Sequence, residues 1–199
     1  MTRLVLVRHG ETEWSREGRH TGRTDVPLTP RGEDQAVRAG LRLASERFAL
    51  VLSSPLRRAW ETCVLAGLGG EVEATDDVLE WDYGAYEGRR TVEIRAERPG
   101  WSLWEDGVPG GETVEEVGRR VERVIHRARA AGGDVGLFAH AHVLRVLAAR
   151  WLGLAPADGR LFVLTPASVS VLGCEHSAEV IERWNDTAHL DPSWCAPGT

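Results

Sequence analysis

A chain of 199 residues with 42% hydrophobic and 27% charged side chains has the composition of one globular domain, long enough to bury a full core. Its net charge of −6 excludes a global field for nucleic acid or a membrane surface, and no apolar run approaches the roughly 20 residues of a membrane span. All 24 basic residues are arginine, so no lysine is available as Schiff base or general base, and every cation is a permanently charged planar fork. The N-terminus lacks the charged, apolar and small-residue pattern of a secretory signal, which makes the cytoplasm the expected compartment. Cys63, Cys174 and Cys195 are odd in number and form no C-x-x-C, against a disulfide framework and against structural zinc.

Residues 3–7 read as a first strand, running straight into Arg8-His9-Gly10-Glu11-Thr12, where the glycine would let a ligand approach the backbone. Thr29, Pro30 and Glu33 are an N-cap, a first-turn proline and an early acid; they predict a helix through Ala36, Ala39, Leu41 and Leu43 to about Arg47. Residues 50–53 form a second strand, and Ser54-Pro55 opens a helix through Arg58, Trp60 and Thr62 to about Leu65. Residues 71–74 suit a third strand, 84–88 a loop, and 91–98 a short helix stopped by Pro99. Val114, Val117, Val121, Val124 and Ile125 lie on one stripe of a long helix over 112–131, ended by Gly132-Gly133. Residues 135–139 are a strand entering His140, and 143–152 a helix. Residues 161–165, 168–173 and 180–184 read as late strands, the last an edge that offers a route to a homodimer. From Asp186 the chain turns polar and small, which predicts a domain over 1–185 and a poorly ordered tail over 186–199. The βαβα alternation gives an α/β three-layer sandwich, with a mainly parallel central sheet and helices on both faces.

In an open parallel sheet, ligands gather at the carboxyl ends of the strands. Three stretches fall at such places, Arg8-His9-Gly10, Ser53 to Ala59 and Ala139-His140-Ala141-His142, and a fourth polar stretch, Leu79-Glu80-Trp81-Asp82-Tyr83-Gly84, lies in a loop. Each alone is ordinary, since a strand-end histidine is more often structural and adjacent arginines at a helix start usually face solvent. Their shared topology suits phosphoryl transfer through histidine. A neutral imidazole attacks phosphorus, arginine forks and a second histidine hold the charged oxygens, and a carboxyl group moves the proton. Arg8, His9, Arg58, His140 and Glu80 supply one candidate for each task. A metal held by His9, His140 and His142 is the weaker reading, because no carboxylate or cysteine spacing accompanies them.

These residues resemble the histidine phosphatase superfamily, phosphoglycerate-mutase-like branch. Arg8 to Thr12 is similar to its Arg-His-Gly-Glu-Thr hallmark, and Thr21 to Thr29 to its T-G-x-x-D-x-x-L-[ST] segment. Ser53 to Thr62 looks like S-x-x-x-R-A-x-x-T through Ser54, Arg58, Ala59 and Thr62, Glu80 to Gly88 looks like E-x-x-x-G-x-x-E-G, and His140 to Arg145 looks like H-x-x-x-[IL]-R. The resemblance implies the phosphoglycerate-mutase-like fold, His9 as the phosphorylated nucleophile, Arg8, Arg58 and His140 around the phosphate, and Glu80 as proton donor and acceptor. Arg58 is preferred to Arg57 because the family arginine directly precedes the alanine. Thr21 and the Gly22 backbone would contact phosphate or substrate. Ser15 stands where mutases often carry Asn, and Ala141 where the family usually has Gly.

Within the family, the Glu80 loop, the segment 101–111 and His140-Ala141-His142 look similar to sedoheptulose-bisphosphatase-like and broad-specificity acid phosphatase relatives. This puts Trp81 and Tyr83 on the substrate side. Trp101 and Trp104 become a roof or packing, and Arg89 and Arg90 a grip on a second phosphate or a solvated loop. Only about two dozen residues separate Gly88 from Gly111, short for a lid over a bisphosphate, so water is the expected acceptor. The expected activity is a phosphomonoester hydrolase working through phosphohistidine on a small phosphorylated metabolite, a sugar phosphate or bisphosphate, with no metal or other cofactor. A cofactor-dependent phosphoglycerate mutase is the alternative. A non-catalytic binder of a phosphorylated ligand comes second, since it would usually have lost His9 or Glu80.

Overall fold

The computed structural model describes residues 2–70 and 72–194. Its sheet has the order β3-β2-β4-β1-β5-β6, built from β1 (Leu4–Arg8), β2 (Leu50–Ser53), β3 (Val72–Ala74), β4 (Val135–Ala139), β5 (Val169–Glu175) and β6 (Ala178–Asp186). β1 to β4 run parallel, while β5 pairs antiparallel with β1 and β6 antiparallel with β5. The sheet is therefore mixed, with its parallel part where the candidate chemistry sits.

Alternation along β1 defines the layers. Leu4 and Leu6 face a core shared with α6 (Val114–Ala130) and α7 (Ala141–Trp151), whereas Val5 and Val7 face Ala39 and Leu43 of α2 (Pro30–Leu43) and Cys63 of α3 (Arg57–Leu65). Short helices α1 (Glu13–Glu17), α4 (Thr91–Glu97) and α5 (Leu103–Asp106) lie in the connections. Among the described residues no helix is long and apolar enough to cross a membrane.

Three expectations change. Residues 161–165 are not a strand: Leu161 ends a 3-10 turn, β5 occupies the place beside β1, and the Val163 and Leu164 carbonyls accept instead from Trp184 Nε1 and Arg8 Nη1. α3 starts at Arg57 rather than Ser54, because the carboxylate that accepts the Arg57 amide, at 2.8 Å, comes from distant Asp25. The chain beyond Asp186 is not uniformly loose, since Ala188–Leu190 form a 3-10 turn with His189 fully buried. Glu71 and residues 195–199, which include Cys195, lie outside the described residues.

Candidate active site

β1 and β4 are paired in register, Arg8 opposite Ala139, so His9 and His140 leave adjacent strand ends together. The His9 amide donates to Ala139 O at 2.9 Å, and the two imidazole centroids stand 5.2 Å apart. His9 Nδ1 lies 2.7 Å from the Gly10 carbonyl, which can only accept, so Nδ1 carries the proton and Nε2 keeps its lone pair. Burial, then the Arg58 and Arg8 charges, push the His9 pKa well below its ordinary value and leave the ring neutral. Gly10 serves packing rather than ligand approach: a Cβ there would meet Gly32 O of α2 at 2.3 Å. Its amide donates to Thr62 Oγ1 at 3.1 Å, and Thr62 donates to Arg58 O at 2.6 Å, fastening the hallmark to α3.

Arg58 is fully buried and makes four hydrogen bonds, from Nε to His140 Nδ1 at 3.1 Å, Nη1 to Thr24 O at 2.9 Å, and Nη2 to Thr21 O at 3.1 Å and Gly22 O at 2.9 Å. Because Nδ1 of His140 accepts, its Nε2 bears the hydrogen and donates to Ser54 Oγ at 2.8 Å. The loop that supplies the carbonyls is itself held by Glu87, whose carboxylate accepts the Gly22 amide at 2.9 Å and the Thr24 amide at 3.1 Å. The Gly22 amide therefore faces Glu87, contrary to the expected phosphate contact. Arg8 spends Nη1 on Leu164 O, while its Nε is buried without a partner among the described residues; burial lowers its pKa to about 10.

Glu80 reaches the N-terminus of α7. Its Oε1 accepts from Trp81 N at 3.0 Å and Val143 N at 2.9 Å, and its Oε2 from His142 N at 3.0 Å. His140, the residue before α7, makes no side-chain cap, so Glu80 satisfies free amides at the positive end of the helix.

Arg8, His9 and Glu80 open onto one cavity of about 280 Å³, whose wall includes Ser15, Thr21, Tyr83 and Ala141. Ser15 Oγ accepts the Thr12 amide at 2.9 Å, closing the capping box of α1. Trp81 is not on the substrate side: it is fully buried, donates to Glu112 O at 2.8 Å and packs edge-on against Trp104. Trp101 and Trp104 form no roof but pack behind His20 and His142, which do line the cavity. Arg89 and Arg90 pair with Glu97 and Glu93 and are absent from the wall. Sequence reasoning gave no substrate role to Arg145, His20 and Thr91, all in the wall; Arg145 had a signal, as the end of the H-x-x-x-[IL]-R turn.

A family model described as "Histidine phosphatase superfamily (branch 1)" matches residues 4–187. An acid phosphatase of Mycobacterium tuberculosis is 40% identical over 194 residues, 96% of this chain and 95% of that protein. A sedoheptulose 1,7-bisphosphatase of Saccharomyces cerevisiae is 40% identical over 185 residues, 76% of this chain and 68% of that protein. The solved structure of the product of a Mycobacterium tuberculosis open reading frame, 40% identical, superposes with a TM-score of 0.88 over 92% of this chain and 97% of that one. By family match and by relatives alike, the chain belongs to the histidine phosphatase superfamily, branch 1.

Proposed function

We propose that the protein is a phosphatase that takes the phosphoryl group of a small phosphorylated metabolite onto His9 Nε2 and passes it to water. The observation that carries this reading is the state of His9: a neutral ring, locked by Nδ1 to Gly10 O, facing a cavity shared with Arg8 and Glu80. In the first step the His9 Nε2–P bond forms, the P–O bond to the leaving group breaks, and Glu80 protonates the departing alkoxide. In the second, Glu80 takes a proton from water, the water oxygen attacks phosphorus, and the N–P bond breaks. Arg8, which lines the cavity and spends only Nη1 on a protein carbonyl, is the available donor to the equatorial oxygens. Arg58 has one of its five N–H groups left and acts chiefly as charge, with His140 held beside it. Ser15, Thr21, Tyr83 and Ala141 border the leaving group. The relatives named acid phosphatase and sedoheptulose 1,7-bisphosphatase support hydrolysis over mutation.

The test is phosphate release from p-nitrophenyl phosphate and a set of sugar mono- and bisphosphates, with acid-labile phosphate trapped on the quenched protein. His9→Ala abolishes both signals if the reading is right. Undiminished turnover in that variant, or interconversion of 2- and 3-phosphoglycerate far faster than phosphate release, rejects it.

A further inference from the structure

Nearly every arginine of this chain has a carboxylate within 4.0 Å. Among the described residues, those of the 24 that have none are Arg8, Arg47, Arg58, Arg95 and Arg145. Arg47 and Arg95 are exposed, where water compensates the charge; Arg8, Arg58 and Arg145 are not. Arg8 and Arg58 belong to the phosphoryl end of the site. Arg145 does not touch that chemistry, yet it is held in the cavity wall. Its Nε donates to Gly159 O at 3.0 Å, its Nη2 to Arg160 O at 3.3 Å, and its guanidinium lies 4.7 Å over the Trp104 ring. These contacts fix the fork without neutralising it, and Nη1 remains accessible with no partner among the described residues.

His142 stands next to it, its ring 5.4 Å from the same Trp104. Tyr83 Oη is 2.6 Å from His142 Nδ1. Burial and Glu80 hold the Tyr83 pKa far above its ordinary value, so the phenol keeps its proton and donates. Nδ1 then accepts, and the hydrogen of the ring sits on Nε2, which has no other partner among the described residues. A fixed fork and a fixed N–H thus face the same cavity as Glu80, and Glu80 is where the leaving group departs.

We propose that Arg145 and His142 form a second anion subsite, and that the leaving group carries a phosphate or carboxylate at its end remote from the scissile phosphoryl group. This rests on the hydrolase reading above. A partly buried guanidinium with no carboxylate within 4.0 Å, its charge offset only at longer range by Glu80, is costly, and an anion with two acceptor oxygens satisfies both its free Nη1 and His142 Nε2. A neutral hydroxyl would satisfy one hydrogen bond and leave the charge as it was. Arg89 and Arg90, the residues that sequence suggested for such a grip, are already neutralised by Glu97 and Glu93.

The experiment compares kcat/KM for matched pairs on the intact protein: fructose 1,6-bisphosphate against fructose 1-phosphate, and 3-phosphoglycerate against glycerol 3-phosphate. The first pair tests a remote phosphate, the second a remote carboxylate. A preference of at least about tenfold for the anionic member of one pair is expected, carried mainly by KM. In Arg145→Gln that preference collapses to about twofold or less, and Arg145→Lys restores part of it. Hydrolysis of p-nitrophenyl phosphate without preference in either pair overturns the subsite and leaves the hydrolase reading standing, and this comparison needs no variant. A preference that survives Arg145→Gln also overturns it. Wild-type protein inert to every probe removes the hydrolase reading and the subsite together.

Discussion

Glu80 Oε1 accepts the Val143 amide at 2.9 Å, so the carboxyl group proposed to move the proton is also the cap of α7. The two tasks are not separable by mutation. In Glu80→Gln one carboxylate oxygen becomes an NH₂ that cannot accept, and at least one of the amides of Trp81, His142 and Val143 loses its partner. The expected result is a loss of about 1–2 kcal/mol in stability, read from urea unfolding. Turnover falls by about 10² to 10⁴, the usual contribution of a general acid. Binding of inorganic phosphate, read as the rise in Tm on adding it, persists. A variant with wild-type turnover would show that the proton comes from elsewhere.

Arg58→Ala is a harsher change. It strips the partners from the Thr21, Gly22 and Thr24 carbonyls and frees His140 from its Nε contact. We expect phosphate protection against heat to vanish and turnover to drop by at least about 10², because a fixed buried cation is lost from beside a charged transition state and His140 loses its support. Unchanged kinetics would point to Arg8 alone as the phosphate cation.

The residues proposed for catalysis were legible as a cluster because Arg8, His9 and His140 sit on short motifs at strand ends, which periodicity finds best, while Arg58 and Glu80 lie on motifs supplied by the family resemblance. The substrate half was not. Trp81 and Arg145 are both motif neighbours, and nothing local tells a core tryptophan from a cavity wall. The difference lies in Glu112 O, which takes the Trp81 indole N–H, and in Gly159 O, which aims Arg145; both come from distant sequence. The false strand at 161–165 has the same origin. Its apolar pattern is correct, but the sheet position was already taken by β5, which lies next to β1.

Tyr83→Phe tests the tautomer argument without touching a charge. The phenol proton that fixes His142 Nδ1 as acceptor disappears, so hydrogen can settle on either ring nitrogen. Nitrogen-15 NMR of the His142 ring should show the Nε2–H form dominant in wild-type protein and a mixture in the variant. The expected cost in stability is about 1 kcal/mol. A pure Nδ1–H form in wild type would invert the donor pattern assigned to this wall.

Acid should weaken the fold as soon as the pH falls below the ordinary histidine range. Burial lowers the pKa of His9, His20, His140, His142 and His189, with His20 brought to about 4 from an ordinary 6.5. Below 6.5 the unfolded chain therefore binds more protons than the folded one, so stability is full above that pH and drains away as pH falls toward about 4. His20 alone accounts for about 3 kcal/mol across that window. Urea midpoints should be flat from neutral pH upward and decline steadily below 6.5, less steeply in His20→Gln. A flat profile down to pH 5 would contradict the burial of these rings.

The C-terminal turn is tied to His9, the proposed nucleophile, through two hydrogen bonds in series. His189 Nε2 lies 3.0 Å from Ala167 O, and Ala167 N donates to His9 O at 3.0 Å. Ala167 is held at φ 55°, a left-handed conformation that costs a residue with a Cβ roughly 1 kcal/mol. His189→Ala removes the donor and leaves a void against α2, so a loss of about 2–3 kcal/mol is expected. Ala167→Gly tolerates the same φ without a Cβ, and in the His189→Ala background it should return about 0.5–1 kcal/mol. If the turn only shields the core, phosphohistidine formation in His189→Ala will match wild type once both are compared well below their Tm. If it also sets the His9 backbone, that rate falls several-fold and Ala167→Gly does not restore it, because glycine relieves the strain without replacing the lost anchor.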